Sequence, residues 1–206
     1  MKIIDLSYII TDNMPVFPGD DKVIIEEAKI IDRDYYNAIK LQTGMHIGTH
    51  VDIPKHLTDD IRTIDEIPLD RFIGRGVLLD VRGQDIVDYK KEYDQIITKN
   101  DIVLFYTGFA DLYSDPSRYY NSYPVLSDNL ADFLVNKQIK MVGIDSPSPD
   151  KEPFNIHKKL LKNNINIIEN LTNLEELICI DEFEVFAVPL RIKAEASLVR
   201  AFAIQK

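Results

Sequence analysis

The chain has 206 residues, of which 45% are hydrophobic, and its 34 acidic against 24 basic side chains give a net charge of −10. That length serves one well-buried domain, 1–206, and is short for two. The charge disfavours nucleic acid and anionic membrane surfaces, because no Lys/Arg cluster reverses it locally, and suits small neutral or cationic ligands or metal ions.

No segment approaches about eighteen consecutive apolar residues, and Asp5 interrupts the start Met1-Lys2-Ile3-Ile4-Asp5-Leu6 where a signal peptide needs an apolar core. The expected location is the cytoplasm. In chain order, Ile3 to Tyr8, Val23 to Ile31 and Ala38 to Thr43 carry Val, Ile and Tyr between turn signals and read as strands. The pattern then changes to the apolar runs Gly76 to Val81, Asp101 to Tyr106 and Lys140 to Asp145, which read as strands buried on both faces. Helical spacing predicts helices over Ile86 to Ile97, Leu130 to Val135 and Phe154 to Lys162, with Ser127 as the cap of the second. A strand at Ile165 to Ile168, a short helix near Asn173 to Leu177 and strands at Phe183 to Leu190 and Leu198 to Ile204 complete a mixed α/β domain.

The segment Met45 to His56 holds three of the four histidines. His46, His50, Asp52 and His56 are even-numbered, with Ile47, Thr49, Val51 and Ile53 between them. An extended chain therefore puts the polar set on one face. A helix does not: at about 100° per residue Asp52 lies about 200° round from His50, and Pro54 would break it. A straight strand, however, separates His46 from His50 by roughly 13 Å. Each histidine holds a metal about 6 Å from its Cα, so the two barely reach one ion. Gly48 can bend the segment and bring His46, His50 and Asp52 together. Two histidines and a carboxylate suit zinc, manganese or ferrous iron with positions left for water. Spacing alone also allows a chance crowding of polar residues at a strand end.

The fourth histidine, His157, stands on a charged helix and by itself reads as an exposed side chain. Glu169 closes an apolar strand, where sites gather in open α/β sheets, and by itself reads equally as a solvated strand end. Cys179 lies in the apolar run Leu177-Ile178-Cys179-Ile180 and is expected to be a buried, inert thiol. A serine nucleophile is disfavoured, because Gly-x-Ser-x-Gly is absent.

The run His46-Ile47-Gly48-Thr49-His50-Val51-Asp52-Ile53-Pro54-Lys55-His56 matches without a gap the pattern His-x-Gly-Thr-His-x-Asp-x-Pro-x-His. In this the chain resembles the metal-dependent cyclase family, the kynurenine formamidase-like hydrolases. Ile4-Asp5-Leu6-Ser7, Met14 to Asp20, Gly143 to Ser148, Glu169-Asn170-Leu171 and Pro189-Leu190 extend the resemblance over nearly the whole chain. It implies a swivelling β/β/α fold and a homodimer. It places metal ligands at His46, His50 and Asp52 for one ion and at Asp52, His157 and Glu169 for a second, with Asp52 bridging. It makes His56 the proton-transfer group. The cofactor it implies is two zinc ions per chain, with manganese as the substitute.

The implied activity is hydrolysis of a small amide, formamide or lactam. N-formylkynurenine, in tryptophan catabolism, is the first candidate substrate and an isatin-type lactam the next. A non-catalytic binder is the rival reading, and a full ligand set beside His56 argues against it. A non-haem iron oxygenase is disfavoured by His157 and Glu169, because the second ion they imply would fill the space left for oxygen chemistry. The chain departs from the family at Leu57, where Phe is common, at Phe17, where many formamidases have Trp, and at Ala194-Glu195-Ala196-Ser197-Leu198, where Gly-x-x-Gly-Ser-Pro is usual. These departures spare the ligand set.

Overall fold

Runs of β-branched residues become thirteen strands in a computed structural model that describes residues 1–206. They are β1 (Ile3–Asp5), β2 (Ile24–Lys29), β3 (Ala38–Gln42), β4 (His50–Asp52), β5 (Ile73–Asp80), β6 (Ile86–Val87) and β7 (Ile102–Tyr106), followed by β8 (Val125–Leu126), β9 (Met141–Ile144), β10 (Asn166–Glu169), β11 (Phe183–Phe186), β12 (Ala196–Leu198) and β13 (Phe202–Gln205). Helices are few: α1 (Ile31–Asp34), α2 (Tyr93–Ile96) and α3 (Pro116–Tyr119) are single turns, and α4 (Asp128–Lys137) and α5 (Asn155–Lys162) are longer.

Nine strands form one mixed sheet in the order β1-β13-β11-β5-β7-β9-β10-β4-β12. Its centre, β5, β7, β9 and β10, is parallel, and both flanks are antiparallel. β12 and β13 stand near opposite ends of this order, yet only Val199, Arg200 and Ala201 lie between them. So short a link spans about 13 Å at most, and the sheet has to curl until its ends approach. Leu6 spans the gap, its N–H donating to the Ala201 carbonyl at 2.9 Å and its carbonyl accepting from Thr172 N–H at 3.1 Å.

The period of two along each strand divides two apolar clusters. In β7, Ile102, Leu104 and Tyr106 join the cluster inside the curl, whereas Val103 and Phe105 join the cluster beneath α4 and α5. α4 starts where Ser127 Oγ accepts from Leu130 N–H at 3.1 Å, as its sequence predicts. Ile156, Leu160 and Leu161 lie on the buried face of α5. Each such side chain contributes about 1.5–3 kcal/mol by leaving water, which anchors α5 over β10.

Some sequence expectations are corrected. Ile86 to Ile97 is not a helix: Ile86 and Val87 pair with Val125 and Leu126, and helix is confined to the turn of α2. Ser127 fixes this pairing, its N–H donating to the Val87 carbonyl and its hydroxyl to Asp88. The last predicted strand is split into β12 and β13 by the curl, whereas the short helix expected near Asn173 to Leu177 is present as a 3-10 helix over Leu174–Leu177. Cys179 is exposed, because it follows that turn and faces away from the core reached by Leu174 and Leu177. No helix is long and apolar enough to cross a membrane.

Candidate metal centre

Register brings two distant parts of the chain together. β4 lies antiparallel between β10 and β12, with His50 opposite Glu169 and Asp52 opposite Ile167. Cross-strand partners share a face. His50, Asp52 and Glu169 therefore face outward beneath α5, while Val51 and Ile168 enter the inner cluster. α5 lowers His157 onto the same spot, and the residue is 3% exposed. The expectation of an exposed His157 is corrected: burial of Ile156, Leu160 and Leu161 turns this face of α5 inward.

His46 arrives from the loop before β4. Gly48 has φ +50°, in the left-handed region, and so supplies the bend that a straight strand lacks. His46 Nδ1 consequently lies 3.0 Å from Asp52 Oδ1, and His50 Nε2 lies 3.6 Å from the same oxygen. On the other side His157 Nε2 is 3.8 Å from Asp52 Oδ2 and 3.0 Å from Glu169 Oε1. The side chains form two groups, His46, His50 and Asp52, and Asp52, His157 and Glu169, each with its ligand atoms within 4.8 Å of one another.

Their electrostatics are those of a dense cluster. Burial alone would raise the Asp52 carboxyl, but the imidazoles of His46, His50 and His56 hold it well below the ordinary carboxylate range. Burial opposes charge on His157 too, yet hydrogen bonds to Asp150 and Glu169 lift it to about 10. His46 rises to about 9 against burial, chiefly through Asp52. His56 goes the other way, lowered by burial and by His46 and His157 despite the attraction of Asp52.

Both Asp52 oxygens and His50 Nε2 are buried and make no hydrogen bond of good geometry, although imidazole and carboxylate atoms crowd them, the nearest being His46 Nδ1 at 3.0 Å from Asp52 Oδ1. Buried groups left so cost about 1–3 kcal/mol each, more when charged. A divalent cation fits this set: its charge would satisfy the carboxylates, and imidazole and carboxylate are its usual donors.

Asp150 is a site residue that sequence reasoning missed. Its Oδ1 lies 2.5 Å from His157 Nδ1, and its Oδ2 accepts from the N–H of Ile156 at 2.6 Å and of His157 at 3.3 Å. An acid shortly before a helix, after Ser-Pro-Ser-Pro, was the signal available. The cavity above the cluster encloses about 220 Å³ and is bounded by Phe17, Leu57, Tyr120 and Phe154, with His56 on its wall.

A family model described as "Putative cyclase" matches residues 4–151. The chain belongs to the Cyclase family. This cyclase-family chain is 34% identical to an uncharacterized protein of Methanocaldococcus jannaschii, over 99% of its own length and 100% of that protein. It is 27% identical to a kynurenine formamidase of Bacillus cereus, with 96% and 95% covered. Among solved structures, isatin hydrolase A from Ralstonia solanacearum superposes with a TM-score of 0.88 at 19% identity, covering 100% of this chain and 92% of that one. That likeness shows the fold, a large curled mixed sheet in an α/β frame.

Proposed function

We propose that the chain is a metal-dependent hydrolase of small amides, formamides or lactams, with His46, His50 and Asp52 holding one divalent ion and Asp52, His157 and Glu169 a second. The observation that carries this reading is the Asp52 carboxylate, buried, without a hydrogen bond of good geometry and flanked by ligand-type atoms on both sides. Ions there, zinc first and manganese next, would lower the pKa of water towards neutrality and polarise a carbonyl.

The chain's own groups supply the rest. His56 sits on the cavity wall with its ring centroid 4.3 Å from that of His46 and 6.3 Å from that of His157. It takes a proton from attacking water and returns it to the leaving nitrogen, the role the family resemblance gives it. Phe17 and Tyr120, edge to face at 5.6 Å, form an aromatic wall suited to a flat ring. A cavity of about 220 Å³ suits a substrate smaller than drug-sized ligands. N-formylkynurenine is the first substrate proposed, on the strength of the kynurenine formamidase relatives, and an isatin-type lactam the second. A cytoplasmic homodimer acting in tryptophan catabolism is the cellular form this reading carries.

The test is to purify the chain with its native metal, count ions per chain and screen N-formylkynurenine, isatin and simple aryl formamides. Hydrolysis with at least one ion per chain is expected. Less than one ion after reconstitution, together with no turnover, would overturn the proposal in favour of a binding protein.

A further inference from the structure

Each histidine of the candidate ligand set has one nitrogen near Asp52 or Glu169 and the other beside an acceptor outside the cluster. For His50 the outer acceptor is the Gly48 carbonyl, 2.9 Å from Nδ1. For His157 it is Asp150 Oδ1, 2.5 Å from Nδ1. For His46 it is Glu195 Oε1, 3.4 Å from Nε2, while Nδ1 faces Asp52. Carbonyl and carboxylate oxygens only accept, so Gly48 and Asp150 keep the hydrogen of His50 and His157 on the outer nitrogen and leave the inner lone pair for a cation, and Glu195, an ion-pair partner at 3.4 Å without an aligned hydrogen bond, stands within reach to do the same for His46.

Glu195 lies in Ala194 to Leu198, the segment in which this sequence departs from the family pattern. The backbone there is fixed: Ala196 pairs with Asp52 in the sheet, and the Glu195 carbonyl accepts from Ile53 N–H at 3.3 Å. The Glu195 side chain is thereby carried to the edge of the His46 ring. Asp150 is fixed in a different way, since its second oxygen accepts from the Ile156 and His157 N–H groups in the first turn of α5.

From this geometry we infer that Glu195 and Asp150 are positioning residues, Glu195 for the ion site built on His46 and Asp150 for the one built on His157. The inference rests on the metal-centre reading proposed above. Neither carboxylate joins the ligand groups themselves. Each locks the tautomer and orientation of one ligand and raises its basicity, an effect worth about 10–100-fold in metal affinity. The Asp150 side chain is 8% exposed and that of Glu195 39%, so water competes more at Glu195 and its effect belongs at the lower end.

The test measures zinc affinity of the ion-free full chain by competition with a chromophoric chelator. Glu195→Ala is expected to weaken one of two zinc-binding steps about tenfold and the other far less, and Glu195→Gln, which keeps an acceptor oxygen, to recover most of that loss. Asp150→Ala is expected to weaken the other step, and Asp150→Asn, which keeps an acceptor oxygen, to recover most of that loss. Because Asp150 also holds two N–H groups in the first turn of α5, circular dichroism of the ion-free variants checks the fold, and the half-exposed Glu195 pair decides the matter if Asp150→Ala unfolds. Wild-type affinity at both steps in Glu195→Ala would overturn the inference while leaving the metal centre standing. A wild-type chain that takes up no zinc would remove the metal centre and the inference together.

Discussion

The ring of His56 lies against that of His46, centroids 4.3 Å apart and planes inclined by 38°. The two histidines are nonetheless unequal, because only His46 reaches the Asp52 carboxylate, at 3.0 Å. His56 belongs to neither ligand group. Its replacement should therefore separate chemistry from binding: His56→Ala is expected to lose activity by about 10²–10⁴-fold with its metal content intact. His50→Ala, which deletes a nitrogen 3.6 Å from Asp52 Oδ1, should lose both. Metal analysis beside steady-state kinetics checks the pair, and full activity in His56→Ala would remove His56 from the mechanism.

Gly48 connects the bend to stability. At φ +50° an alanine pays about 1–2 kcal/mol in backbone strain, and its Cβ would stand 3.0 Å from the flexible end of Met14. Met14 can shift, whereas the backbone conformation cannot change without moving the carbonyl that holds His50 Nδ1. Gly48→Ala is thus expected to lower the melting temperature and to weaken ion binding. Unchanged values for both would show that the bend does not depend on glycine.

The local part of the site was readable in the sequence, because the even-numbered spacing of His46 to His56 and the need for Gly48 both follow from strand geometry. The buried strands of the parallel centre were readable too, as unbroken apolar runs. What sequence periodicity missed was set by pairing over long distances. Ile86 and Val87 look helical until Val125 and Leu126 supply strand partners. His157 looks exposed until the apolar face of α5 is packed on β10. Glu195 carries no motif of its own and acquires meaning only from the His46 ring beside it, and the position of Asp150 before α5 hints at a helix start but not at His157.

Ion binding should register as folding stability. Two carboxylates and three histidines crowd a buried volume, and Asp52 and His50 keep atoms there without a hydrogen bond of good geometry. A ligand that binds only the native state at 100 times its Kd adds about 2.7 kcal/mol. Melting curves of the zinc-loaded chain before and after exhaustive chelation should differ by several degrees, with recovery on adding zinc back. Coincident curves would argue that no ion is held by the folded chain.

Asp145 gives the fold its own pH dependence. It is fully buried, and its carboxylate accepts from Thr107 N–H at 2.9 Å, Thr107 Oγ1 at 2.5 Å and Gly108 N–H at 2.8 Å. Burial outweighs these donors and raises its pKa from 3.8 to about 6. Nearby Tyr8 and Tyr119 are themselves pushed upward by burial and stay neutral across this range. A raised carboxyl pKa means that the folded chain holds the proton more tightly than the unfolded one. The associated stability is complete below pH 3.8 and is lost as pH rises through 6, a change of about 3 kcal/mol. Other carboxylates titrate in the same window, so the quantity to measure is the difference in unfolding free energy between wild type and Asp145→Asn. Denaturant titrations from pH 4 to 7 should show wild type losing ground to the variant as pH rises, most steeply between 4 and 6. A difference independent of pH would mean that the native pKa of Asp145 is not raised above its unfolded value.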